Sequence, residues 1–152
     1  MSTIDVFIEN EAGSDVKHHY DEERLELLRV ERVKAPYPFP YGFVPGTLAP
    51  DGDAADCFVI TGRPLGTGDR VECEPVALME STEGGLIDHN LIAVEPGDPV
   101  PDLEAVAARI GAFVLAFTEG MPGRETTVGQ LLPVEDAEGY LVECAEAFEA
   151  SS

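Results

Sequence analysis

Short segments in the first two thirds of the chain have the patterns of β-strands, and two of them alternate apolar and polar side chains. A period of two places successive side chains on opposite faces of an extended backbone, as in half-buried β-strands. The alternating segments cover residues 4–9 and 19–33, and further strands are predicted at residues 57–61, 70–80 and 90–94, the first of which starts with an apolar run typical of a buried strand. Asp21-Glu22-Glu23 divides the second segment into two strands joined by a turn, and glycines separate the later ones. The pattern predicts five or more short strands.

The apolar spacing becomes helical in the last third of the chain. Asp102 follows two prolines and is a suitable N-cap for a helix that ends at residues 120–123. The apolar stripe of this helix consists of Leu103, Val106, Ile110, Phe113, Val114 and Phe117. A second helix is predicted from about Glu135. Its apolar side consists of Tyr140, Leu141, Cys144 and Phe148.

Strands followed by two helices predict an α+β protein that is mainly β. The expected architecture is a small closed β-barrel with the two C-terminal helices packed outside it. The chain contains no internal repeat and no linker-like segment, so residues 1–152 are predicted to form a single domain.

The charge balance excludes several classes of partner. Thirty acidic residues against nine basic ones give a net charge of −21, and the only lysines are Lys17 and Lys34. Such a charge repels nucleic acids and anionic membranes. Acids spread over the whole chain are typical of proteins in a high-salt cytoplasm, where screening weakens their repulsion. We therefore expect a cytoplasmic protein of a halophile, with an ordinary acidic protein as the alternative.

The cysteines and the chain start agree with a cytoplasmic location. Cys57, Cys73 and Cys144 are odd in number, lie in apolar contexts and form no C-x-x-C pair, which indicates core thiols. The chain has no charged-then-apolar N-terminal segment and no apolar run of about 18 residues, so we expect neither secretion nor membrane spanning.

The densest candidate chemistry is an acidic cluster that follows an aromatic segment. Asp51, Asp53 and Asp56 fall within six residues, directly before the apolar strand that starts at Cys57. Carboxylates at this density repel one another unless a cation or full solvation relieves them. Oxygen ligands favour Mg²⁺, Mn²⁺ or Ca²⁺ over soft metals. A solvated Asp-Gly turn is the alternative.

Several motifs in one order resemble the soluble family I inorganic pyrophosphatases. The hallmark D-G-D-x-x-D is present at residues 51–56, after Tyr37-Pro38-Phe39-Pro40-Tyr41-Gly42-Phe43. Val6-Phe7-Ile8-Glu9 and Val30-Glu31-Arg32 resemble two strands of the family, and Lys17 its substrate lysine. Residues 82–88 resemble its acidic loop, which ends in a metal-binding aspartate. The resemblance extends from about Ile4 to Val94.

The resemblance implies an OB-like barrel that hydrolyses inorganic pyrophosphate to two phosphates with a metal-activated water. Mg²⁺, with Mn²⁺ as the alternative, is the implied cofactor. The implied metal ligands are Asp51, Asp56 and Asp88, joined by Glu9 and Glu83 for ions that arrive with the substrate. Asp53 is implied as the proton acceptor, and Lys17, Arg32 and Tyr41 as phosphate ligands. The family also implies a homo-oligomer, with a hexamer expected.

The chain departs from the family at the phosphate ligands. His19 replaces a glutamate, Asn90 replaces a lysine, and Phe117-Thr118 replaces a tyrosine-lysine pair. Arg124 follows the first helix and is the candidate replacement cation. Two alternatives therefore remain: a retuned or degenerate paralogue that binds phosphate or hydrolyses another phosphoanhydride, and a non-enzymatic acidic barrel. Lys17 and Arg32 have the further alternative of being ordinary salt-bridge partners.

Histidines and aromatic residues allow two other interpretations. His18, His19 and His89 raise the question of zinc, but neighbouring residues on a strand point to opposite faces, so His18 and His19 cannot share an ion. The aromatic segment 37–43 resembles a base-stacking platform, which the charge of −21 disfavours.

Overall fold

The computed structural model describes residues 3–151, which contain nine strands and two helices. The strands are β1 (Ile4–Asn10), β2 (Val16–Asp21), β3 (Glu26–Arg32), β4 (Tyr41–Val44), β5 (Ala55–Ile60), β6 (Arg70–Glu83), β7 (Leu86–Ile87), β8 (Asn90–Val94) and β9 (Thr126–Pro133). The helices are α1 (Leu103–Thr118) and α2 (Val134–Ser151).

Five strands close into a ring in the order β1-β4-β5-β8-β6, because β1 pairs with both β4 and β6. Strands β5 and β8 run parallel, and the other neighbours in the ring run antiparallel. β7 and β9 pair with the far part of β6. The predicted architecture, a closed and mainly β sheet with two C-terminal helices, is confirmed.

Alternating side chains of β5 and β8 belong to two different apolar clusters. On β5, Cys57 and Val59 belong to an inner cluster with Ile8 and Leu91, to which α2 adds Ala137, Tyr140 and Cys144. The intervening Phe58 belongs to an outer cluster with Ile92, Val106, Ile110 and Phe113, the last three from α1. The three cysteines are buried and free, as expected of core thiols.

The helices begin and end close to their predicted positions. The Asp102 carboxylate accepts a hydrogen bond from the Ala105 N–H at 3.3 Å, so the predicted N-cap of α1 is confirmed. Helix α1 ends at Thr118, before Gly120, which has a φ of +75°. Within residues 3–151, neither helix is long and apolar enough to cross a membrane.

The strand predictions need three corrections. β9 was not predicted, because its pattern does not alternate cleanly, and it is ordered by pairing with β6. The aromatic turn contains a strand, β4, whose Gly42 lies against β1, and a Cβ there would be 1.8 Å from the Phe7 carbonyl oxygen. The second predicted segment starts earlier, at Val16, as a hairpin of β2 and β3 that pairs with no other strand of the described residues.

Candidate active site

A cavity of about 820 Å³ lies where β1, β4, β5 and the end of β6 meet the β2–β3 hairpin and α1. Its acidic lining consists of Glu9, Asp21, Glu22, Glu23, Asp51, Asp53, Asp56, Glu83 and Asp88. Within residues 3–151 its lysine and arginine lining consists of Lys17, Arg24 and Arg124. Carboxylates thus outnumber these cations, so the cavity favours bound metal ions over an anion alone.

Three carboxylates converge on one point of this cavity. Asp51, Asp56 and Asp88 each offer a ligand oxygen, and the three oxygens lie within 4.8 Å of one another. The parallel pairing of β5 with β8 sets Asp56 opposite Asn90, two residues after Asp88. A tight turn places Asp51, with a hydrogen bond from the Ala49 N–H to the Asp53 carbonyl at 2.7 Å. Local turns and one strand pairing therefore build the cluster.

The electrostatics of the cluster reflect buried carboxylates that lie close to one another. Burial, together with the neighbouring Asp88, raises the pKa of Asp51 to about 7. Burial and Asp88 also hold the pKa of Asp56 well above its usual range. A bound cation would stabilise the ionised forms of both. Because all three donors are carboxylate oxygens, the set fits a hard divalent ion such as Mg²⁺ or Mn²⁺.

Glu9 and Lys17 extend the site on one side. The pairing of β1 with β4 shifts register between Ile8 and Asn10, so Glu9 lies at an irregularity of the strand. Burial raises the pKa of Glu9 to about 7, against the opposing effect of Lys17. The Lys17 ammonium lies 5.3 Å from the centre of the Tyr41 ring, and both Lys17 and Tyr41 act to lower the pKa of Asp56 against the larger effect of burial. Glu9, Lys17 and Tyr41 therefore lie beside the carboxylate cluster.

Asp53 is exposed and lines the cavity. Its N–H donates to the Asp51 carboxylate at 3.0 Å, which ties its backbone to the cluster.

The structure brings Lys17 to the cavity lining but does not bring Arg32 there. Lys17 is paired across the hairpin with Glu31, whereas Arg32 is paired with Val16, and adjacent strand residues point to opposite faces. The Arg32 side chain is 79% exposed and donates to Asp15 at 3.0 Å.

Arg124 and Glu83 both line the cavity and bind each other there. The Arg124 Nε donates to the Glu83 carboxylate at 2.9 Å, and the guanidinium carbon lies 5.8 Å from the centre of the Phe117 ring. Arg124 lies just before β9, which pairs with β6. This pairing brings Arg124 next to Glu83, the last residue of β6.

The positions that depart from the family pattern lie in the wall of the same cavity. His19 hydrogen-bonds to the Glu31 carboxylate at 2.7 Å. Asn90 is buried, and the Thr118 hydroxyl bonds to that of Thr126 at 2.7 Å. Phe117 packs against Phe113. Asn90, Phe117 and Thr118 bring no charge to the wall.

Sequence reasoning missed Glu22, Arg24 and Tyr37 as lining residues. Tyr37 is 2% exposed, and its hydroxyl has no hydrogen-bond partner within the described residues. Its place in the aromatic motif was the available signal. Glu22 and Arg24 carried no signal, because only the docking of the hairpin turn brings them to the cavity.

The histidines remain outside the carboxylate cluster. His18 and His19 hydrogen-bond to different partners, Asn10 and Glu31. In the part of the chain that the structure describes, the group with metal-ligand spacing contains aspartates alone.

Comparison with known proteins gives one family throughout. The family model for inorganic pyrophosphatase matches residues 6–149. An inorganic pyrophosphatase of Nanoarchaeum equitans is 32% identical over 152 residues, which cover 93% of this chain and 95% of that protein. The inorganic pyrophosphatase structure from Coxiella burnetii superposes with a TM-score of 0.86 at 26% identity, covering 97% of this chain and 95% of that one. The one from Thermus thermophilus gives 0.85 at 28% identity, covering 97% and 91%.

The match covers every residue that lines the acidic cavity, and it includes all of the strands and helices except the start of β1 and the end of α2. It also spans the C-terminal third, where the sequence motifs are weakest. This chain belongs to the inorganic pyrophosphatase family.

Proposed function

We propose that this protein hydrolyses inorganic pyrophosphate to two phosphates, with Mg²⁺ as its cofactor and Mn²⁺ as the alternative ion. The observation that carries the proposal is the convergence of Asp51, Asp56 and Asp88 within 4.8 Å in a cavity that also contains Lys17 and Arg124. Phosphoanhydride hydrolysis needs phosphate charge neutralised and a water deprotonated, and this combination of groups supports both needs.

The metal ligands follow from the cluster. Asp51, Asp56 and Asp88 would hold the activating ions, and Glu9 and Glu83 would hold ions that enter with the substrate. Bound divalent cations neutralise phosphate charge and lower the pKa of water. The elevated pKa values of Asp51 and Glu9, both about 7, mean that both carboxyls must release protons before they bind an ion at acidic pH.

Asp53 is the proposed proton acceptor. Its carboxylate is exposed to the cavity, while its backbone is tied to Asp51 and Ala49. A fixed backbone with a solvated carboxylate suits a group that takes a proton from the attacking water and then returns it to solvent.

Lys17, Tyr41 and Arg124 are the proposed phosphate ligands. Lys17 and Arg124 are cations in a cavity dominated by carboxylates, and the Tyr41 hydroxyl lies beside Asp56. Arg124 would exchange its bond with Glu83 for phosphate oxygens when ions occupy Glu83. Arg32, which the resemblance assigns to phosphate, is bonded to Asp15 away from the cavity and takes no part in the proposal.

A second candidate is a retuned paralogue that hydrolyses another phosphoanhydride. The uncharged wall formed by Asn90, Phe117 and Thr118 favours it, since two expected lysines are absent there. Phosphate release from pyrophosphate, nucleoside triphosphates and polyphosphate, each with Mg²⁺, separates the two candidates. The first predicts a preference for pyrophosphate, and preference for a longer compound would establish the second.

We also propose a cellular environment and an oligomeric state for this protein. The net charge of −21 supports a high-salt cytoplasm, and the family resemblance supports assembly of identical copies, with a hexamer as the expected form.

A further inference from the structure

The Glu22 side chain in the turn of the β2–β3 hairpin makes a hydrogen bond to the acidic loop. The Glu22 carboxylate accepts a hydrogen bond from the Ala54 N–H at 3.0 Å, across 32 positions of sequence. Glu22 lines the cavity and is partly buried, whereas Ala54 is 4% exposed. Within the described residues, the hairpin has no strand pairing with the main sheet, so this contact helps to fix the turn.

The conformation of the turn is defined independently of Glu22. The Asp21 carboxylate accepts hydrogen bonds from the N–H groups of Glu23 at 3.1 Å and Arg24 at 2.9 Å. Leu25 has a φ of +56°, in the left-handed region that a branched side chain rarely adopts. Leu25 and Tyr20 pack on an apolar cluster that includes Ala54. These contacts hold the turn in position without Glu22, and the Glu22 side chain extends from it to the acidic loop.

The hydrogen bond acts on the peptide that follows Asp53. The carbonyl of this peptide accepts the Ala49 N–H at 2.7 Å, and its N–H donates to Glu22. The peptide plane is thus held from both sides. Because a peptide is rigid, fixing this plane limits rotation of the Asp53 backbone and the positions its carboxylate reaches.

We propose that Glu22 is a positioning residue that orients Asp53 through the Ala54 peptide. The inference rests on the proposed function, in which Asp53 accepts the proton of the attacking water. Glu22 contacts the backbone of the acidic loop, so its loss lowers kcat rather than substrate affinity. Misplacement of a reacting group by about 1 Å can cost about a hundredfold in rate, so we expect a smaller shift of Asp53 to cost about tenfold.

Two substitutions separate the hydrogen bond from the charge. Glu22→Asp keeps the charge but is one methylene too short to reach the Ala54 N–H. Glu22→Gln loses the charge but keeps an oxygen that accepts this N–H. Glu26→Gln removes the same charge from an exposed position on β3 and is the matched control.

The test measures kcat and KM for pyrophosphate at saturating Mg²⁺. We expect Glu22→Asp to lower kcat about tenfold with KM within about twofold, and Glu22→Gln to stay within about threefold of wild type. Glu26→Gln is expected to behave as wild type. Wild-type kcat in Glu22→Asp, or equal losses in the Asp and Gln variants, would overturn the proposal.

A second readout is independent of activity. Hydrogen exchange of the Ala54 amide, followed by mass spectrometry with gas-phase fragmentation, is expected to be slow in wild type and Glu22→Gln and faster in Glu22→Asp. Equal exchange in all three proteins would also overturn the proposal. If wild type proves inactive on pyrophosphate, the proposed function fails while this readout still tests the contact.

Discussion

Arg124 donates a hydrogen bond to Glu83 at 2.9 Å at the edge of the acidic cavity. The sequence assigned them opposite tasks, a metal ligand in Glu83 and a phosphate ligand in Arg124. In the structure the two side chains form a salt bridge. The Glu83 side chain is 30% exposed and the Arg124 side chain is 46% exposed. An exposed pair of this kind contributes little to stability. Its partners are therefore free to exchange for a metal ion and a phosphate.

Removing Arg124 is predicted to weaken substrate binding. Arg124→Ala should raise KM for pyrophosphate at least tenfold, because a charge-assisted contact to phosphate is worth about 1.5–3 kcal/mol. Binding of Mg²⁺ to the aspartate cluster should stay unchanged. Steady-state kinetics and calorimetry check the two parts. Arg70→Ala, which removes an exposed arginine outside the cavity lining, is the control. An unchanged KM in Arg124→Ala, with a raised KM in Lys17→Ala, would refute the role of Arg124.

Asp56 is predicted to be needed for divalent-metal binding. Its carboxylate converges with those of Asp51 and Asp88 and is in electrostatic contact with Asp88, so Asp56→Asn removes one charge from a set of three. Isothermal titration with Mg²⁺ or Mn²⁺ should show at least tenfold weaker binding than in wild type. Asp98→Asn, at an exposed loop position, should bind as wild type does. Equal affinity in Asp56→Asn and wild type would contradict the site.

Glu9 is predicted to make metal-free stability depend on pH. Burial raises its pKa from 4.5 to about 7, so the folded protein favours the neutral carboxyl. The neutral Glu9 carboxyl contributes fully to the free energy of unfolding below the unfolded pKa. This contribution is lost as pH rises from about 4.5 to about 7. Glu9→Gln removes the charge, so it should raise the free energy of unfolding at pH 8 by up to about 3 kcal/mol and leave it unchanged at pH 4.

Urea unfolding in the presence of a chelator measures this difference. The pKa values of Asp51 and Asp56 are raised as well, so the wild type should lose stability between pH 4 and pH 8. Glu9→Gln should lose less stability over the same range. Glu26→Gln, on the exposed face of β3, should follow the wild-type curve. If Glu9→Gln is no more stable than wild type at pH 8, the ionised Glu9 carboxylate does not destabilise the folded protein, and the prediction is wrong.

Local patterns predicted most of the fold, and pairing partners supplied the rest. Alternation identified β1, and apolar runs identified β5 and β8, whose side chains divide between two apolar clusters. β9 escaped prediction, because Thr126–Pro133 is extended only through its partner β6. The short β4 strand was hidden by Pro38 and Pro40, which indicate a turn on their own.

The sequence predicted the site residues that lie in one local motif, but it missed or misplaced residues whose positions depend on strand pairing or on a distant contact. Asp51, Asp53 and Asp56 are close in sequence and stay close in space, so a motif predicted their neighbourhood. Arg32 was misplaced, because its direction depends on the hairpin register, which pairs it with Val16. Glu22 was missed because its contact with the acidic loop spans 32 positions.

Assembly is predicted to depend on salt. Copies with a charge of −21 repel one another in dilute buffer, and molar KCl reduces the screening length to about 3 Å. Light scattering should therefore show an oligomer, with six copies expected, in molar KCl and smaller species in dilute buffer. A monomer at molar KCl would contradict this expectation.

The central claim is hydrolysis of pyrophosphate at the carboxylate cluster, and phosphate release in molar KCl tests it most directly. Wild type should release two phosphates per pyrophosphate with Mg²⁺ and none with a chelator. Asp53→Asn should lower the rate at least a hundredfold while it still binds Mg²⁺, because it removes the proton acceptor. Absence of phosphate release by wild type, or an undiminished rate in Asp53→Asn, would contradict the account.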